Sequence, residues 1–452
     1  MDPFLLLPVA LGGVSVWLGL VQRRQRVRAW QDAAAGCGLQ VVGSPGWSQL
    51  SARAGPVSVK IETCGDKGKY TRIIAWAPGP PDFHSVSIHR EPLVRFSREI
   101  EVGDQAFDST FFIEGPARLV LALLDAKMRR LLLRVNAESR LAISNGTLRA
   151  EHMADRKVVH VLPLLVETGQ RFAQPLDVMR CLAESAHHDP ETGVRLQILL
   201  LLIRELPGNS WTLEALHTAC SDPSPEIRLL AAKNLGAEGR GVLLDLAESL
   251  VDDAVSAKAV SALDRELPLE RTRAILTGAL RRRHIQTAHV CLEALGRSDG
   301  AADIELLAKV MALEQGELAA AAALALGATG SPAAEPSLIP ALQREQADLR
   351  ISAADALGRV GSAAAVLPLK EAAESFWLDL DLRRAAHQAI AEIQSRLQGA
   401  SPGQLSLAGS DAGQLSLAQD EAGQLSLATD PAGQLSLFAG EAGLEPDGGG
   451  AP

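Results

Sequence analysis

Aromatic side chains are scarce in this chain of 452 residues. They make up 4% of the sequence, with a single tyrosine, although hydrophobic residues as a group reach 47%. The length is enough for about three domains of ordinary size. So few rings argue against one thick core filled by bulky side chains. Together with many alanines, they favour thin helices stacked on one another.

Cysteine pairs and the common catalytic motifs are missing as well. The five cysteines are an odd number, and no two of them form a Cys-x-x-Cys pair. This pattern excludes a disulfide framework and a zinc site of that type, and it indicates free thiols in a reducing compartment. The sequence has no Gly-x-Gly-x-x-Gly, no phosphate-binding loop and no Gly-x-Ser-x-Gly. We therefore predict no catalytic residues, no cofactor and no metal ligands.

Basic residues are absent from the end of the chain. The net charge is −10, and the seven acidic residues after residue 400 account for most of it. Without that tail the charge is about −3, so the remainder of the chain is near neutral. A general nucleic-acid binder needs a basic face, so this balance argues against nucleic acid as the partner.

An internal repeat occupies residues 189 to 395. Three segments show it most plainly: 226–236, 317–327 and 348–358 each contain a branched apolar residue, an alanine pair and a final Leu-Gly. Successive repeats are separated by 33, 28, 32, 31, 31 and 33 residues, counted between Leu202, Leu235, Leu263, Leu295, Leu326, Leu357 and Ile390. A period near thirty is typical of a solenoid, in which each unit buries its apolar side only against its neighbours.

The spacing within a repeat predicts paired helices. Apolar residues fall three or four positions apart, which gives each helix one apolar side. The alanine pairs leave room for two helix backbones to approach closely. Glycines follow the last leucine in several repeats, where we expect left-handed residues that end the helix; these are Gly236, Gly296, Gly327 and Gly358.

The segment from Leu349 to Gly361 resembles a short HEAT repeat of the phycobilisome-lyase type. Asp222-Pro223, Ile227-Arg228 and Leu382-Arg383 fit the same pattern, so the resemblance covers roughly residues 176 to 398. It implies an α-solenoid. HEAT arrays mostly bind other macromolecules, and a minority are enzymes. The hydroxylases among them hold two irons through His-Glu dipeptides, and this chain contains no His-Glu.

The N-terminal stretch from residue 4 to residue 21 has no charged side chain. Its 18 residues would span about 27 Å as a helix, close to the thickness of a bilayer core. Arginines follow at once, so the positive-inside rule keeps that side in the cytoplasm. We predict a single-pass anchor in the inner membrane within residues 1–28; the residues concerned are Phe4, Leu5, Val16, Trp17, Leu20, Arg23 and Arg24. The alternative is a helix buried in the next domain.

The sequence pattern of residues 29–154 predicts a small α+β domain. Short β-branched runs at 40–42, 57–62, 71–76 and 85–88 indicate strands, residues 116–133 an amphipathic helix, and Asn145-Gly146 a hairpin turn. The segment 103–115 resembles part of uncharacterised bacterial membrane-anchored proteins, through Gly103, Asp104, Phe107, Asp108 and Phe111. We interpret Asp108 as a turn or capping acid. Residues 155–188 are expected to dock this domain onto the repeats and to cap them.

The tail, residues 399–452, repeats Gly-Gln-Leu-Ser-Leu every ten residues. Two leucines per ten residues cannot offset the entropy of ordering the chain, so we predict disorder. The last copy resembles the pentapeptide by which bacterial proteins dock on the DNA sliding clamp; its residues are Gln434, Leu435, Leu437 and Phe438. The three earlier copies lack the phenylalanine, and a duplicated tail reaches this string by one substitution, so we favour drift of the repeat.

These observations predict a multidomain protein: a transmembrane helix, a small α+β domain, an α-solenoid over residues 189–398 and a disordered tail. The function expected is a membrane-anchored scaffold, not an enzyme, that presents an elongated concave surface to a protein partner in the cytoplasm. Alternatives are a HEAT-type enzyme of the lyase or nucleic-acid glycosylase kind and, through Gln434–Phe438, a clamp-docking factor. Within the repeats, the basic run Arg281, Arg282 and Arg283 is a candidate contact for an acidic partner, for phosphate or for the acidic tail of the chain.

Overall fold

The computed structural model describes residues 7–44, 46, 48–64, 70–79, 81–90, 99–298, 300–375 and 379–396, together with two short strands at 405–407 and 415–417. The chain divides into two compact units, Met1–Gly239 and Arg240–Pro452. Each unit has its own secondary structure and its own buried residues, and each is described separately.

The first unit begins with helix α1, Leu7–Gly36. In the described part of the chain, no helix is both long enough and apolar enough to cross a membrane. The uncharged part of α1 from Leu7 to Val21 has 15 residues, about 22 Å, against a hydrocarbon core of about 30 Å. Glycines and a proline interrupt that part, and four arginines follow it.

The predicted membrane anchor and inner-membrane location are therefore wrong. The far end of α1 instead buries Trp30 and Ala34 completely within the core of the first unit. Arg26, next to the supposed membrane edge, lies 2.6 Å from a carboxylate oxygen of Asp155. The predicted anchor residues Val16, Trp17, Leu20, Arg23 and Arg24 belong to this helix, whereas Phe4 and Leu5 lie outside the described residues.

An antiparallel sheet of eight strands follows, in the order β1-β2-β3-β4-β8-β7-β5-β6. The strands are β1 Gln40–Val41, β2 Gln49–Ala54, β3 Val57–Cys64, β4 Tyr70–Trp76, β5 Ser87–Arg90, β6 Phe111–Glu114, β7 Arg140–Ser144 and β8 Thr147–Met153. The β7–β8 hairpin turns at Asn145-Gly146 as the sequence predicts. Strands β2 and β6 were not predicted, because neither has a long β-branched run.

Three helices complete the α+β region: α2 Gln105–Asp108, α3 Ala117–Leu123 and α4 Ala126–Glu138. The single helix predicted over 116–133 is thus broken. Asp125 causes the break, because its carboxylate accepts a hydrogen bond from the Met128 amide at 2.7 Å and so starts a new helix. Asp108 accepts hydrogen bonds from the amides of Val102 and Gly103 at 3.0 and 2.8 Å, which confirms its interpretation as a turn acid.

Helix α5, Val158–Phe172, packs with α1 and α4 on one side of the sheet. Val57, Val59 and Ile61 point to that side and are buried, because alternate residues of a strand face opposite sides. The helix comes so close that a Cβ at Gly169 would lie 3.0 Å from Val57. The opposite side of the same strands carries half-buried and exposed residues.

Four further helices belong to the first unit: α6 Val178–His188, α7 Thr192–Glu205, α8 Ser210–Ala219 and α9 Pro225–Leu235. They stack as helix pairs, and buried arginines join neighbouring pairs. Arg195 makes two hydrogen bonds of 2.8 and 2.9 Å to Asp222. Arg129 of α4 binds Asp189 in the same way, with two bonds of 2.9 Å. The α+β region therefore meets the first helix pair through the kind of contact that joins one pair to the next.

The second unit contains ten helices among its described residues. They are α10 Arg240–Ser249, α11 Asp253–Leu263, α12 Leu269–Arg282, α13 Ile285–Leu295, α14 Ala301–Leu313, α15 Glu317–Ala328, α16 Glu335–Ala341, α17 Ala347–Val360, α18 Val366–Ser375 and α19 Leu380–Arg396. The alanine-rich helices α11, α13, α15, α17 and α19 lie side by side in chain order. Each of the others packs against the alanine-rich helix that follows it in the chain.

The glycines of the Leu-Gly motif allow this close packing. A Cβ at Gly327 would lie 2.6 Å from the Ala356 Cα, and one at Gly358 would lie 3.1 Å from the Ala389 Cα. Gly236 follows its helix with a positive φ of 58°, but its ψ of −120° lies outside the predicted left-handed helical region, and Gly296 is right-handed. Gly327 and Gly358 lie inside helices. The prediction was wrong for Gly296, Gly327 and Gly358 because helix approach, not helix termination, requires glycine there.

In the tail, β9 Leu405–Leu407 pairs with β10 Leu415–Leu417 as an antiparallel two-stranded sheet. Each strand is one copy of the Leu-Ser-Leu motif. The last copy, with Gln434, Leu435, Leu437 and Phe438, lies outside the described residues. The predicted disorder of the remaining tail and the clamp-docking hypothesis therefore stay predictions.

Candidate functional site

The alanine-rich helices of the second unit leave one side uncovered. On α13, α15, α17 and α19, residues four positions apart point to that side and are exposed or half-buried. On α15 and α17 all the residues between them are buried. We call these twelve residues the repeat face: His289, Glu293, Arg297, Ala320, Leu324, Ala328, Ile351, Asp355, Arg359, Arg384, Gln388 and Glu392. Adjacent helices are in register, because the end of α13 meets α15 at Ala325 and the end of α15 meets α17 at Ala356.

The middle of the repeat face is apolar. Leu324 of α15 is 39% exposed, which is a large fraction for a leucine within a well-packed helix pair. Ala320 lies one turn before it on the same helix, and Ile351 is half-buried at the equivalent position of α17. Single exposed leucines are common, but an exposed leucine beside a half-buried isoleucine and an alanine forms a small apolar patch to which a partner can bind.

Carboxylates border this apolar centre. Burial raises the pKa of Asp355 on α17, the nearby Glu392 of α19 raises it further, and the charge of Arg359 opposes both effects. The Glu392 carboxylate lies over the backbone of Gly358, where a Cβ would be 2.7 Å from its Oε2 atom. Two acids therefore lie close together on the repeat face with one arginine, an arrangement that favours an additional cation from a partner.

Two grooves open at the ends of the alanine-rich helices. The larger, of about 750 Å³, includes Arg297 and Ala328 of the repeat face; its other lining residues are Asp264, Arg265, Leu267, Leu269, Thr272, Ala294 and Ser298. The smaller, of about 470 Å³, lies at the opposite helix ends and is lined by Arg283, Ile285, Leu313, Glu314, Gln315, Glu317 and Leu318. Leu313 is 81% exposed there.

The structure gives each arginine of the predicted basic run a different environment. Arg282 donates hydrogen bonds to the carbonyls of Ser249 and Leu250 at 2.7 and 2.8 Å, so it caps the end of α10. Arg283 has a left-handed backbone and lies 3.7 Å from the Glu314 carboxylate in the smaller groove. Arg281 is exposed on the last turn of α12. The three arginines therefore have different surroundings, and their binding of an acidic partner or phosphate stays a prediction.

Asp264 in the larger groove has a strained backbone. It follows Leu263 at the position where other repeats have glycine, and its φ of 41° is rare for a residue with a Cβ. Its carboxylate accepts a hydrogen bond of 2.6 Å from Arg297 of the repeat face, and this bond lowers the pKa of Asp264. The strained residue thus holds an arginine of the face in place.

We expect Asp264→Gly to raise the thermal midpoint of unfolding by about 3 °C, because glycine adopts positive φ without strain. This gain outweighs the loss of the bond to Arg297, since both side chains of that pair are about half exposed. Asp264→Ala keeps the strain and loses the bond to Arg297, so we expect it to lower the midpoint by a similar amount. Calorimetry of the two variants tests this. Equal midpoints would show that the backbone at residue 264 is not strained.

The buried Asp303 links α12 and α14. Its side chain is fully buried and accepts hydrogen bonds from Arg273 at 2.5 Å and from the Ser298 hydroxyl at 2.7 Å. The bond from Arg273 lowers the pKa of Asp303; burial opposes this effect, and the Ser298 bond adds to it. A carboxyl whose pKa is lower in the folded state stabilises that state above its unfolded pKa of about 3.9, and this stabilisation is lost as the pH falls through the folded pKa.

We therefore expect Arg273→Met to be less stable than the natural chain at pH 7, and the difference to shrink as the pH falls towards about 3. Denaturant unfolding at several pH values measures it. Arg271→Met is the control, because Arg271 pairs with Glu248 at an exposed site of the same helix. If the stability difference between Arg273→Met and the natural chain stayed constant with pH, the bond from Arg273 would not be what lowers the pKa of Asp303.

Within the described residues, no group of three or more His, Cys, Asp or Glu side chains is arranged to hold a metal ion. All five cysteines are free thiols. Burial raises the pKa of Cys291 to about 12, so this thiol is unsuited to nucleophilic chemistry at neutral pH. On the repeat face, His289 is the single imidazole, and the twelve residues include no hydroxyl or thiol.

The residues of the repeat face were not identified from the sequence, although a signal for them exists. In the aligned repeats, the positions six and two before the leucine change type from repeat to repeat: His289, Ala320 and Ile351 in one row, and Glu293, Leu324 and Asp355 in the next. The buried positions between them stay apolar or small. Positions that vary from repeat to repeat, while the buried positions between them do not, identify the exposed surface of the repeats.

Residues 312–391 match the family model for HEAT repeats. The HEAT repeat and the helical solenoid predicted for this part of the chain are therefore confirmed. No protein among the curated sequences matches the chain. Among solved structures, human deoxyhypusine hydroxylase in complex with glycerol is 18% identical with a TM-score of 0.21, over 48% of this chain and 96% of that one. An engineered protein is 20% identical with a TM-score of 0.29, over 40% of this chain and 96% of that one.

Proposed function

We propose that the second unit is a protein-binding scaffold, not an enzyme, and that the repeat face holds the partner. The supporting observation is the uncovered side of α13, α15 and α17, with the exposed Leu324 at its centre. In HEAT repeats the buried positions pack neighbouring helices against one another. The exposed positions can vary from repeat to repeat, and a partner is recognised through them.

The side chains of the repeat face indicate which side chains the partner's contact segment must contain. An apolar side chain of the partner would cover Leu324, Ala320 and Ile351 and exclude water from them. A lysine or arginine beside it would reach Asp355 and Glu392, where the carboxylates lie close together. The face has one imidazole and no hydroxyl or thiol, so it supports binding better than catalysis.

The test is affinity capture with the full-length chain as bait, compared with two charge insertions. Leu324→Glu places a charge at the centre of the repeat face. Leu367→Glu is the matched control, because Leu367 lies on α18 and is 38% exposed against 39% for Leu324. We expect the natural chain and Leu367→Glu to retain the same protein in stoichiometric amount, and Leu324→Glu to lose it.

Equal retention by all three baits would overturn the repeat face as the binding surface. Recovery of a small molecule or a nucleic acid without any protein would overturn the scaffold and favour an enzymatic role for the unit. Circular dichroism of each bait, with equal helical signal expected, ensures that a loss of binding does not come from unfolding.

A further inference from the structure

The sheet of the first unit has a second surface, which is unrelated to the repeat face. Helix α5 packs on the side of β3 and β4 that carries Val59 and Ile73, with α1 against β2 and α4 against β7 and β8. The alternate residues face the other way and are half-buried or exposed. We call that side of β2, β3, β4, β7 and β8 the open sheet face.

The open sheet face is basic although the chain as a whole is acidic. It carries five basic and two acidic side chains, a net charge of +3; they are Arg53, Lys60, Arg72, Arg140, Arg149, Glu62 and Glu151. Expectations from the charge of the whole chain miss this excess, because they average over all domains.

Both acids are occupied by neighbours. Glu62 lies 2.6 Å from Lys60 and 2.7 Å from Arg72, and Glu151 lies 3.2 Å from Arg72. Among the ion pairs of the described residues, none involves Arg149 or Arg140. The surplus positive charge is therefore available to a ligand.

An exposed tryptophan lies among these cations. Trp76 ends β4 on the open sheet face and is 42% exposed. Two residues before it, Ile74 is paired with Lys60 on one neighbouring strand and with Arg149 on the other. Lys60 and Arg149 are thus the diagonal neighbours of Trp76, about 7–8 Å away in an antiparallel sheet. Arg53 flanks the same region from β2, since it is paired with Ser58, the partner of Trp76.

We propose that the open sheet face binds single-stranded nucleic acid. An unpaired base stacks on the Trp76 ring, and the phosphates on either side lie against Arg149, Lys60 and Arg53. Aromatic platforms with surrounding cations bind single strands in this way, because every base has a flat π-face and every linkage carries one negative charge. A duplex keeps its bases stacked inside and cannot use the ring. An acidic protein segment would use the arginines but not the ring.

The test is fluorescence anisotropy of a labelled oligothymidylate of about 20 nucleotides, titrated with the full-length chain at about 50 mM salt. We expect saturable binding that weakens with added salt. Trp76→Ala should weaken it about 10-fold through loss of stacking. Arg149→Glu should weaken it at least as much and should also reduce the salt dependence.

The matched control is Trp211→Ala, because Trp211 lies on α8 and is 39% exposed. We expect no change in affinity for it. Absence of saturable binding, equal losses for the two tryptophan variants, or equally tight binding of a duplex of the same length would each overturn the proposal. Polyglutamate that displaced the oligonucleotide from the natural chain and from Trp76→Ala at the same concentration would also overturn the proposal. That result would assign the face to acidic proteins.

Discussion

Replacing Arg129 by methionine is expected to lower the free energy of unfolding of the first unit by about 3–5 kcal/mol. Arg129 is 1% exposed and makes two hydrogen bonds to Asp189, one of 2.7 Å to Asp104 and one of 2.9 Å to the Leu124 carbonyl. Methionine fills a similar volume but leaves the buried Asp189 carboxylate without the arginine that binds both of its oxygens. Removing one member of a buried pair costs more than the pair contributes, because the remaining charge is neither solvated nor compensated.

Chemical denaturation, with the transition followed by circular dichroism, measures this loss. Arg180→Ala is the control, because Arg180 pairs with Glu184 at a site where both side chains are about two-thirds exposed; such pairs contribute about 0–0.5 kcal/mol. Adding Asp189→Asn to Arg129→Met removes the buried charge, so we expect the double variant to recover part of the loss. A loss for Arg129→Met no larger than that for Arg180→Ala would contradict the buried bridge.

The second large effect is expected at Gly327. Alanine there would place its Cβ 2.6 Å from the Cα and 2.7 Å from the Cβ of Ala356 on the neighbouring helix α17. The helices must then move apart, and overpacking of this kind costs about 1–3 kcal/mol. Because alanine also favours the helix by up to about 1 kcal/mol, we expect the free energy of unfolding of the second unit to fall by about 1 kcal/mol.

The matched control for Gly327→Ala is Gly241→Ala. Gly241 lies in α10, and a Cβ there would meet nothing within 4 Å. We expect that variant to be as stable as the natural chain or up to about 1 kcal/mol more stable. If the two substitutions changed stability equally, glycine at 327 would have no packing role.

The repeats were predictable because their signal is local and recurs. Leu326 and Leu357 each close an apolar pattern three and four residues apart, and this pattern alone defines a helix with one buried side. The role of Gly327 was misjudged for a related reason. A glycine after a leucine is typical both of a helix end and of a close helix contact, and only the neighbouring Ala356 decides between them.

Features that depend on distant residues could not be predicted. An uncharged stretch followed by arginines has the sequence pattern of an anchor, yet the described part of α1 is too short in its apolar portion to span a membrane, and its far end buries Trp30. The bridge between Arg129 and Asp189 joins residues 60 positions apart. The open sheet face depends on strand order, since β4 pairs with β8 from a much later part of the chain.

The most direct test of the helix stacking in the second unit is a double-mutant cycle at Gly327 and Ala356. Both the repeat face and the stacking of the second unit depend on the contact between these residues. We predict that Ala356→Gly partly rescues Gly327→Ala, with a coupling energy of about 1 kcal/mol from the four unfolding free energies. Strictly additive losses would contradict the side-by-side packing of α15 and α17, and with it the face on which the proposed partner binds.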